Sequence, residues 1–574
     1  MGFGRHGAYL RIDLGTGAAT PVPILEEVSD ALLGGVGLGT WICLNEGGAE
    51  IGALEPGAPL VFCLSPLVGT PLTTSAKFAV VARSPLTGCL SDAISSSHFA
   101  IAAKRAGFDA YVLVGRASQL TRLIVDDGAV RLEPAEELRG RPAADCELKG
   151  FRTAAIGPAG ETRVLYATIT NDGRHAGRGG LGAVLGAKNL KAFSVRGTQS
   201  VEVADPRGVV AAARALSRES FGPATAKNRE HGTFANVLAF NRLNVLPTRN
   251  FQDGTFEGAP EISAEALHAM DRIGRESCAA CTIGCEHIFR TPEGGSVRLE
   301  YETLFALGSL LGIGDRGAVL TSAALCDRLG LDTISAGGTL AFAMEAGICG
   351  LQFGQAAGVQ EMLGRIATRS GDGDLLAEGS RRAAQSIGRP ELAMHVKGLE
   401  IPGYDPRELQ GMALGFAVGT RGADHNRSGA YQLDFSTEVD RRDFDPADAA
   451  KVVEVENDAA AMDSLILCKF LRGVFADFPT EGAELLRLVT GTRVDLRAVG
   501  ARVCTLRKIF NIRAGWRRED DTLPRRLLEG ALSEQKLEAM ILAYYRARGW
   551  ADDGLVPPAT ALKLGLQDVT TDPH

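Results

Sequence analysis

The chain has 574 residues and a mass of 60.4 kDa, too much for one hydrophobic core, so two or three domains are expected. With 45% hydrophobic and 23% charged residues it reads as an ordinary globular protein, and a net charge of −8 gives no reason to expect nucleic acid or an anionic membrane surface as a partner. Its 11 cysteines, an odd number with no secretory leader and no apolar run of about 20 residues, argue against a disulfide framework and for a cytoplasmic setting.

The first alternating stretch, 8–13, reads as a strand, and short apolar runs at 60–64, 78–83, 111–115, 123–127 and 164–170 follow, broken by Gly, Pro and Asp turns. The first 202 residues are therefore expected to be β-rich, with few helices. After Val203-Ala-Asp-Pro206 the periodicity becomes helical, at 209–217, 264–273, 301–311, 317–329, 338–346, 375–387, 449–470, 483–488, 498–510 and 533–548. A Pro-Gly-Tyr-Asp-Pro stretch at 402–406 divides this part, so the expected fold class is α+β, with a β-rich domain 1–202 and two mostly helical domains, 203–400 and 401–574.

The sharpest chemical signal is Cys278-Ala-Ala-Cys281-Thr-Ile-Gly-Cys285. Structural zinc usually takes two short paired spacings, whereas a lone triplet with a remote fourth thiolate suits an iron–sulfur cluster. The preferred fourth ligand is Cys468, although a cysteine at the end of a helical run is also an ordinary buried residue. Asp327-Arg-Leu-Gly-Leu-Asp332 and Asp463-Ser-Leu-Ile-Leu-Cys468 share a pattern. Helix punctuation accounts for the first, with Gly330 after the helix end and Asp332 as the next N-cap; a functional reading has both leading aspartates accept hydrogen bonds from a heterocycle.

Gly177-Arg-Gly-Gly-Leu-Gly182 satisfies G-x-G-x-x-G but lies late in the β-rich part behind a charged loop, which favours a phosphate cradle over a dinucleotide site. Glu300-Tyr301-Glu302 and Arg421-Gly-Ala-Asp-His425-Asn-Arg427 contain a carboxylate and an imidazole suited to proton transfer, or equally a capping acid and a surface histidine.

In their order, these pieces resemble the aldehyde:ferredoxin oxidoreductase family. The likeness also takes in Ser84-Pro-Leu-Thr-Gly88, Ile156-Gly-Pro-Ala-Gly-Glu161, Gly186-Ala-Lys-Asn-Leu-Lys191, Gly337-Gly-Thr-Leu340 and Tyr404-Asp-Pro-Arg407. The resemblance implies a tungsten or molybdenum bis-pterin, Mg2+ bridging its phosphates, and a [4Fe-4S] cluster, the N-terminal domain cradling the pterin. It implies Cys278, Cys281, Cys285 and Cys468 as cluster ligands. It makes Asp327, Leu331, Asp332, Asp463, Leu467, Lys77 and Arg427 pterin contacts, with Arg178, Gly179 and Gly180 in the phosphate loop and Ile94, in place of an Asn, near the magnesium.

The same resemblance implies oxidation of an aldehyde to a carboxylic acid, with Glu302 as base, Tyr301 beside it, His425 as donor to the oxyanion, and a ferredoxin or small iron–sulfur subunit as electron acceptor. A homodimer or hetero-oligomer fits, but Thr321 to Ala324 lacks the Glu and His of a dimer-bridging iron, which is not expected. The second motif has Ile466 where the family has Gly. Two alternatives are a low-potential aromatic acyl-CoA (benzoyl-CoA type) reductase subunit and a non-catalytic electron relay.

Overall fold

A computed structural model describes residues 2–570. Its first sheet contains β1 (Ala8–Asp13), β2 (Ala19–Pro23), β3 (Leu60–Cys63), β4 (Lys77–Arg83), β5 (Leu90–Ser96) and β6 (Ala110–Val114), in the order β2-β1-β6-β3-β4-β5. The second contains β7 (Thr121–Asp126), β8 (Ala129–Pro134), β9 (Arg152–Ala155), β10 (Ile169–Asn171), β11 (Arg174–Ala176) and β12 (Leu190–Arg196), in the order β11-β10-β9-β12-β7-β8. Each sheet has one parallel pair, β1 with β6 and β7 with β12, in otherwise antiparallel surroundings.

Successive side chains of a strand face opposite ways, and here both faces are apolar because both are covered. Leu60, Phe62, Phe78 and Val80 pack with Leu123, Val125 and Phe193 of the second sheet. Phe62 lies 5.3 Å from Phe193, ring centre to ring centre. The intervening Val61, Cys63, Ala79 and Val81 pack instead against helices from both ends of the chain. Among these are Gly35–Asn45, Ala449–Leu465 and Leu496–Arg513.

The expectation of few helices in the first 202 residues is corrected: Glu26–Leu32, Gly35–Asn45, His98–Arg105, Pro158–Glu161 and Leu181–Ala187 are all helical. Glycine's low helix propensity hides the second of them. Its glycines serve contact, since a Cβ on Gly37 would meet the Ser464 hydroxyl at 2.8 Å and one on Gly39 would meet Val81 at the same distance. Two further readings change. The buried run 164–170 pairs as a strand only from Ile169, and the helix begun at Ala264 ends at Met270, after which β13 (Arg272–Glu276) joins β14 (Glu286–Arg290) and β15 (Ser296–Leu299) in a small sheet.

Apolar clusters run across both expected division points. Val209, Ala213 and Leu216 share a cluster with Val36, Leu38 and Ile42 and with residues 460–467 and 485–489, while Leu527, Met540 and Tyr544 share one with residues 304–311 and 412–418. The result is a set of elements locked around the polar crevice described next. No described helix is long and apolar enough to cross a membrane.

Candidate active site

Glu302 enters the crevice from the first turn of the Tyr301–Leu307 helix, and His425 opens a short helix, His425–Ser428, whose N-cap is Asp424. The two side chains face each other, Glu302 Oε1 lying 3.5 Å from His425 Nδ1. Both atoms are buried and neither makes a hydrogen bond among the described residues. The other oxygen, Oε2, accepts from the Gly403 amide at 2.9 Å. Burial pushes Glu302 up to about 8, against the pull of that amide and of Arg178. Burial also lowers His425 to about 4, and although Asp424 opposes the shift, Arg178, Arg421 and Arg472 reinforce it. At neutral pH the acid is therefore mostly protonated and the imidazole neutral.

Tyr301 supports this pair from behind. Its hydroxyl donates to the Gly403 carbonyl at 2.5 Å, so it steadies the residue that holds Glu302. A Cβ at Gly403 would lie 2.7 Å from the Tyr301 ring, which is why the chain is bare there. Tyr404 stacks on His425 at 4.9 Å and on Tyr431 at 5.5 Å, fixing the imidazole plane.

Cys278, Cys281 and Cys285 sit in the β13–β14 loop, and Cys468 follows the Ala449–Leu465 helix. Lys77 lies among all four: burial presses its pKa down, but Cys468, Cys278, Cys281 and Cys285 raise it above the ordinary lysine value. Burial and then Cys468 likewise raise the thiols of Cys281 and Cys285. Thr74 ties the two cysteine segments together. Its amide donates to Ala280 O at 2.7 Å, while its hydroxyl accepts from the Cys468 amide at 3.2 Å. No group of three or more His, Cys, Asp or Glu among the described residues is spaced for a single metal ion. Thiolates on a four-iron cube take separate corners, so they do not need to converge on one point, and four cysteines around one lysine fit that group.

The paired motifs adopt one backbone form. Gly330 (φ 78°) and Ile466 (φ 59°) are both left-handed, and the following amides, of Leu331 and Leu467, return to Cys326 O and Met462 O at 3.0 Å. Asp332 caps the next helix by accepting from Ile334 and Ser335. The leading aspartates differ. Asp327 is 40% exposed and lies 3.2 Å from His175 Nε2. Asp463 is buried between Lys469 at 2.8 Å and Arg427 at 3.1 Å.

A charged lining joins these parts. Arg178 donates to Ala423 O at 2.7 Å and to Glu400 O, and lies 3.6 Å from Asp332. Arg427 and Arg421 meet at Asp92, to which Arg507 also comes within 3.6 Å. Buried Arg178 Nε and Arg507 Nε and Nη2 make no hydrogen bond among the described residues. A buried N–H of a guanidinium left without an acceptor is costly, and phosphate oxygens are natural partners for it. Gly179 and Gly180, both at positive φ, fit against Ser91 and Leu165, where a Cβ would come within 1.9 Å. A Cβ on Gly177 would meet nothing within 4 Å, leaving that side of the loop free to approach a ligand. Ile94 lies in β5 paired with Ala79. The strands flanking the loop, β11 and β12, are antiparallel to each other with two strands between them, which excludes the nicotinamide-dinucleotide unit. Orphaned donors and a bare backbone edge thus fit an anionic, phosphate-bearing cofactor.

Contacts thus link Arg178 to Asp332 and Asp424, Arg427 to Asp424 and Asp463, and His425 to Glu302, and Lys77 comes near Cys468, 391 residues away, while Asp327 meets His175 at a more exposed position. Thr74, His175 and Asp92 were not singled out, since isolated Thr, His and Asp residues carry no spacing signal. Arg421, Asp424 and Tyr404 lie inside stretches that did stand out, and Tyr431 lies just beyond one of them.

The aldehyde ferredoxin oxidoreductase N-terminal domain model matches residues 9–197, and the model for domains 2 and 3 of that enzyme matches 192–566. The chain is 35% identical to the tungsten-containing aldehyde ferredoxin oxidoreductase of Pyrococcus furiosus, over 99% of this chain and 100% of that protein. It is also 35% identical to the protein of the same name from Pyrococcus abyssi, with the same coverage. Among solved structures it is similar in fold to a chain of the active site complex BamBC of benzoyl coenzyme A reductase with 1,5-dienoyl-CoA, at a TM-score of 0.85 and 23% identity, over 99% of this chain and 98% of that one. Matched from end to end by both models, the chain belongs to the aldehyde ferredoxin oxidoreductase family of oxidoreductases.

Proposed function

We propose that this protein oxidises aldehydes to carboxylic acids on a tungsten or molybdenum bis-pterin and gives the electrons to an iron–sulfur acceptor. Full-length identity to the tungsten-containing relatives supports the reaction class. The observation that carries the mechanism is the buried Glu302–His425 pair, whose facing atoms have no other partner. Such a pair has no purpose in a passive electron relay. The benzoyl-CoA reductase chain shares the fold, which by itself says nothing of substrate.

Overall, aldehyde and water give carboxylic acid, two protons and two electrons. When bound, the cofactors supply a Lewis-acidic metal as electron sink and an iron–sulfur centre as outlet. Cys278, Cys281, Cys285 and Cys468 would hold the cluster. Lys77, Arg178, Asp327, Leu331, Asp332, Arg427, Asp463 and Leu467 would hold the pterins, with Ile94, Gly179 and Gly180 near a Mg2+ ion. Glu302, once deprotonated, takes a proton from the attacking water; its elevated pKa makes it a competent base near pH 8. His425, neutral at working pH, donates one ring N–H to the carbonyl oxygen as negative charge grows there.

Anaerobic purification with metal analysis, followed by aldehyde-dependent dye reduction, tests the reading. Tungsten or molybdenum near one per chain together with dye reduction supports it; a metal-loaded protein inert to every aldehyde overturns it.

A further inference from the structure

The helix Pro206–Ser220 has two unlike faces. Val209, Ala213, Leu216 and Ser220 are buried, while Arg207, Val210, Arg214 and Arg218 are exposed at i, i+3, i+7 and i+11, one stripe along the helix. Pro71, Val210, Ala213, Arg214, Ser217 and Arg218 line a groove of about 500 Å3. Phe221, 55% exposed, closes the stripe with Arg229 4.3 Å over its ring. None of Arg207, Arg214 and Arg218 is held in an ion pair with another described residue, and the helix carries a single acid, Glu219. In a chain of net charge −8 this basic stripe stands against the overall sign.

The groove adjoins the cysteine loop. Ser220, at the helix end, meets the hydroxyl of Thr282 at 2.7 Å, and Thr282 meets Thr73 at 2.9 Å, two residues beyond Pro71. Thr282 stands between Cys281 and Ile283, and Cys278, Cys281 and Cys285 are only half-buried.

We propose that this groove is the docking surface for the electron acceptor, a small acidic iron–sulfur protein; the inference rests on the electron-transfer reading above. Two electrons leave per aldehyde and the acceptor carries one per encounter, so it must dock and depart twice per turnover. Unpaired arginines at a rim suit that demand, because they speed and orient encounter more than they tighten the complex. Val210 and Phe221 supply the apolar contact, with an arginine and an aromatic side by side as in other binding hot spots.

The test uses the metal-loaded enzyme and its Arg214→Glu/Arg218→Glu variant, with an acidic single-cluster ferredoxin as probe. Binding is followed by calorimetry at low and high salt, and aldehyde oxidation with ferredoxin or with a cationic dye. Expected are at least tenfold weaker binding, a comparable fall in kcat/KM for ferredoxin, a flatter salt dependence, an unchanged dye rate, and near-normal behaviour of Arg214→Lys/Arg218→Lys. Unaltered ferredoxin binding by the charge-reversed variant overturns the proposal. So does loss of self-association with ferredoxin binding intact, which would make the groove a contact between copies of this chain. The calorimetry needs no aldehyde turnover, so an enzyme that binds ferredoxin at the groove yet oxidises no aldehyde sinks the functional reading and leaves the docking surface standing.

Discussion

The Cys468 amide donates to the hydroxyl of Thr74, and Thr74 holds that place with a left-handed backbone, φ 67°, at 1% exposure. A β-branched residue rarely adopts this conformation, so the strain is maintained by what surrounds it. Its own amide is bonded to Ala280 between two of the triplet cysteines, and one residue therefore sets the distance between the two cysteine segments.

Thr74→Val removes the hydroxyl, keeps the shape and leaves a part-buried Cys468 amide without this partner, a cost of about 1 kcal/mol. Iron per chain and visible absorption should fall, whereas Thr74→Ser should retain both. Cys468→Ala should lower iron content further than Thr74→Val. Iron unchanged in Cys468→Ala would remove that cysteine from the ligand set.

For Glu302 the pH dependence has a definite sign. A base with a pKa of about 8 is progressively protonated below that value, so kcat/KM should rise about tenfold per pH unit up to it and then level off. Glu302→Gln should lower turnover by about 10² or more and abolish the rise, with metal content intact. Because its folded pKa lies above the ordinary 4.5, neutral Glu302 adds stability that is complete below 4.5 and lost as pH rises through about 8. Glu302→Gln should therefore unfold at a higher temperature than the parent at pH 9, with the gap closing toward pH 5. A flat rate profile between pH 6 and 8 would remove Glu302 as the base.

His425→Ala deletes the expected oxyanion donor, typically worth about 3–4 kcal/mol, or 10²–10³ in turnover. Iron and tungsten should stay at parental levels, separating this loss from a failure to load cofactor. Full turnover in this variant would assign the role elsewhere.

Gly330 and Ile466 share a left-handed backbone, and each should lose stability on exchange, for a different reason. Gly330→Ala places a Cβ at φ 78° and 3.1 Å from the Gly157 amide nitrogen, and should cost about 1–2 kcal/mol. Ile466→Gly relieves a similar strain but empties a fully buried site, a loss of about 3 kcal/mol or more, so it too should destabilise on balance. Thermal unfolding of both variants checks this; a more stable Ile466→Gly would mean that backbone strain outweighs packing there.

The strands β3 and β4 were readable because their apolar runs are continuous, as strands covered on both faces require. The run 164–170 is equally apolar and equally buried, yet mostly unpaired, because burial and strand pairing leave the same mark on composition. The helix Gly35–Asn45 escaped for the opposite reason: local propensity argues against it, and only its contacts with Ser464 and Val81 explain the glycines.

Local spacing by itself determined the cysteine triplet, the Gly330 turn and the Asp332 cap, since each depends on neighbours within a few residues. The ordered set of motifs carried the family, which the end-to-end matches bear out. Only the tertiary structure decided that Cys468 and Lys77 join the triplet, that Thr74 links them, and that Glu302 faces His425. Those relations depend on distances across the fold and on burial from water, which shifts an acid to about 8 and an imidazole to about 4, and neither is written in any local stretch of chain.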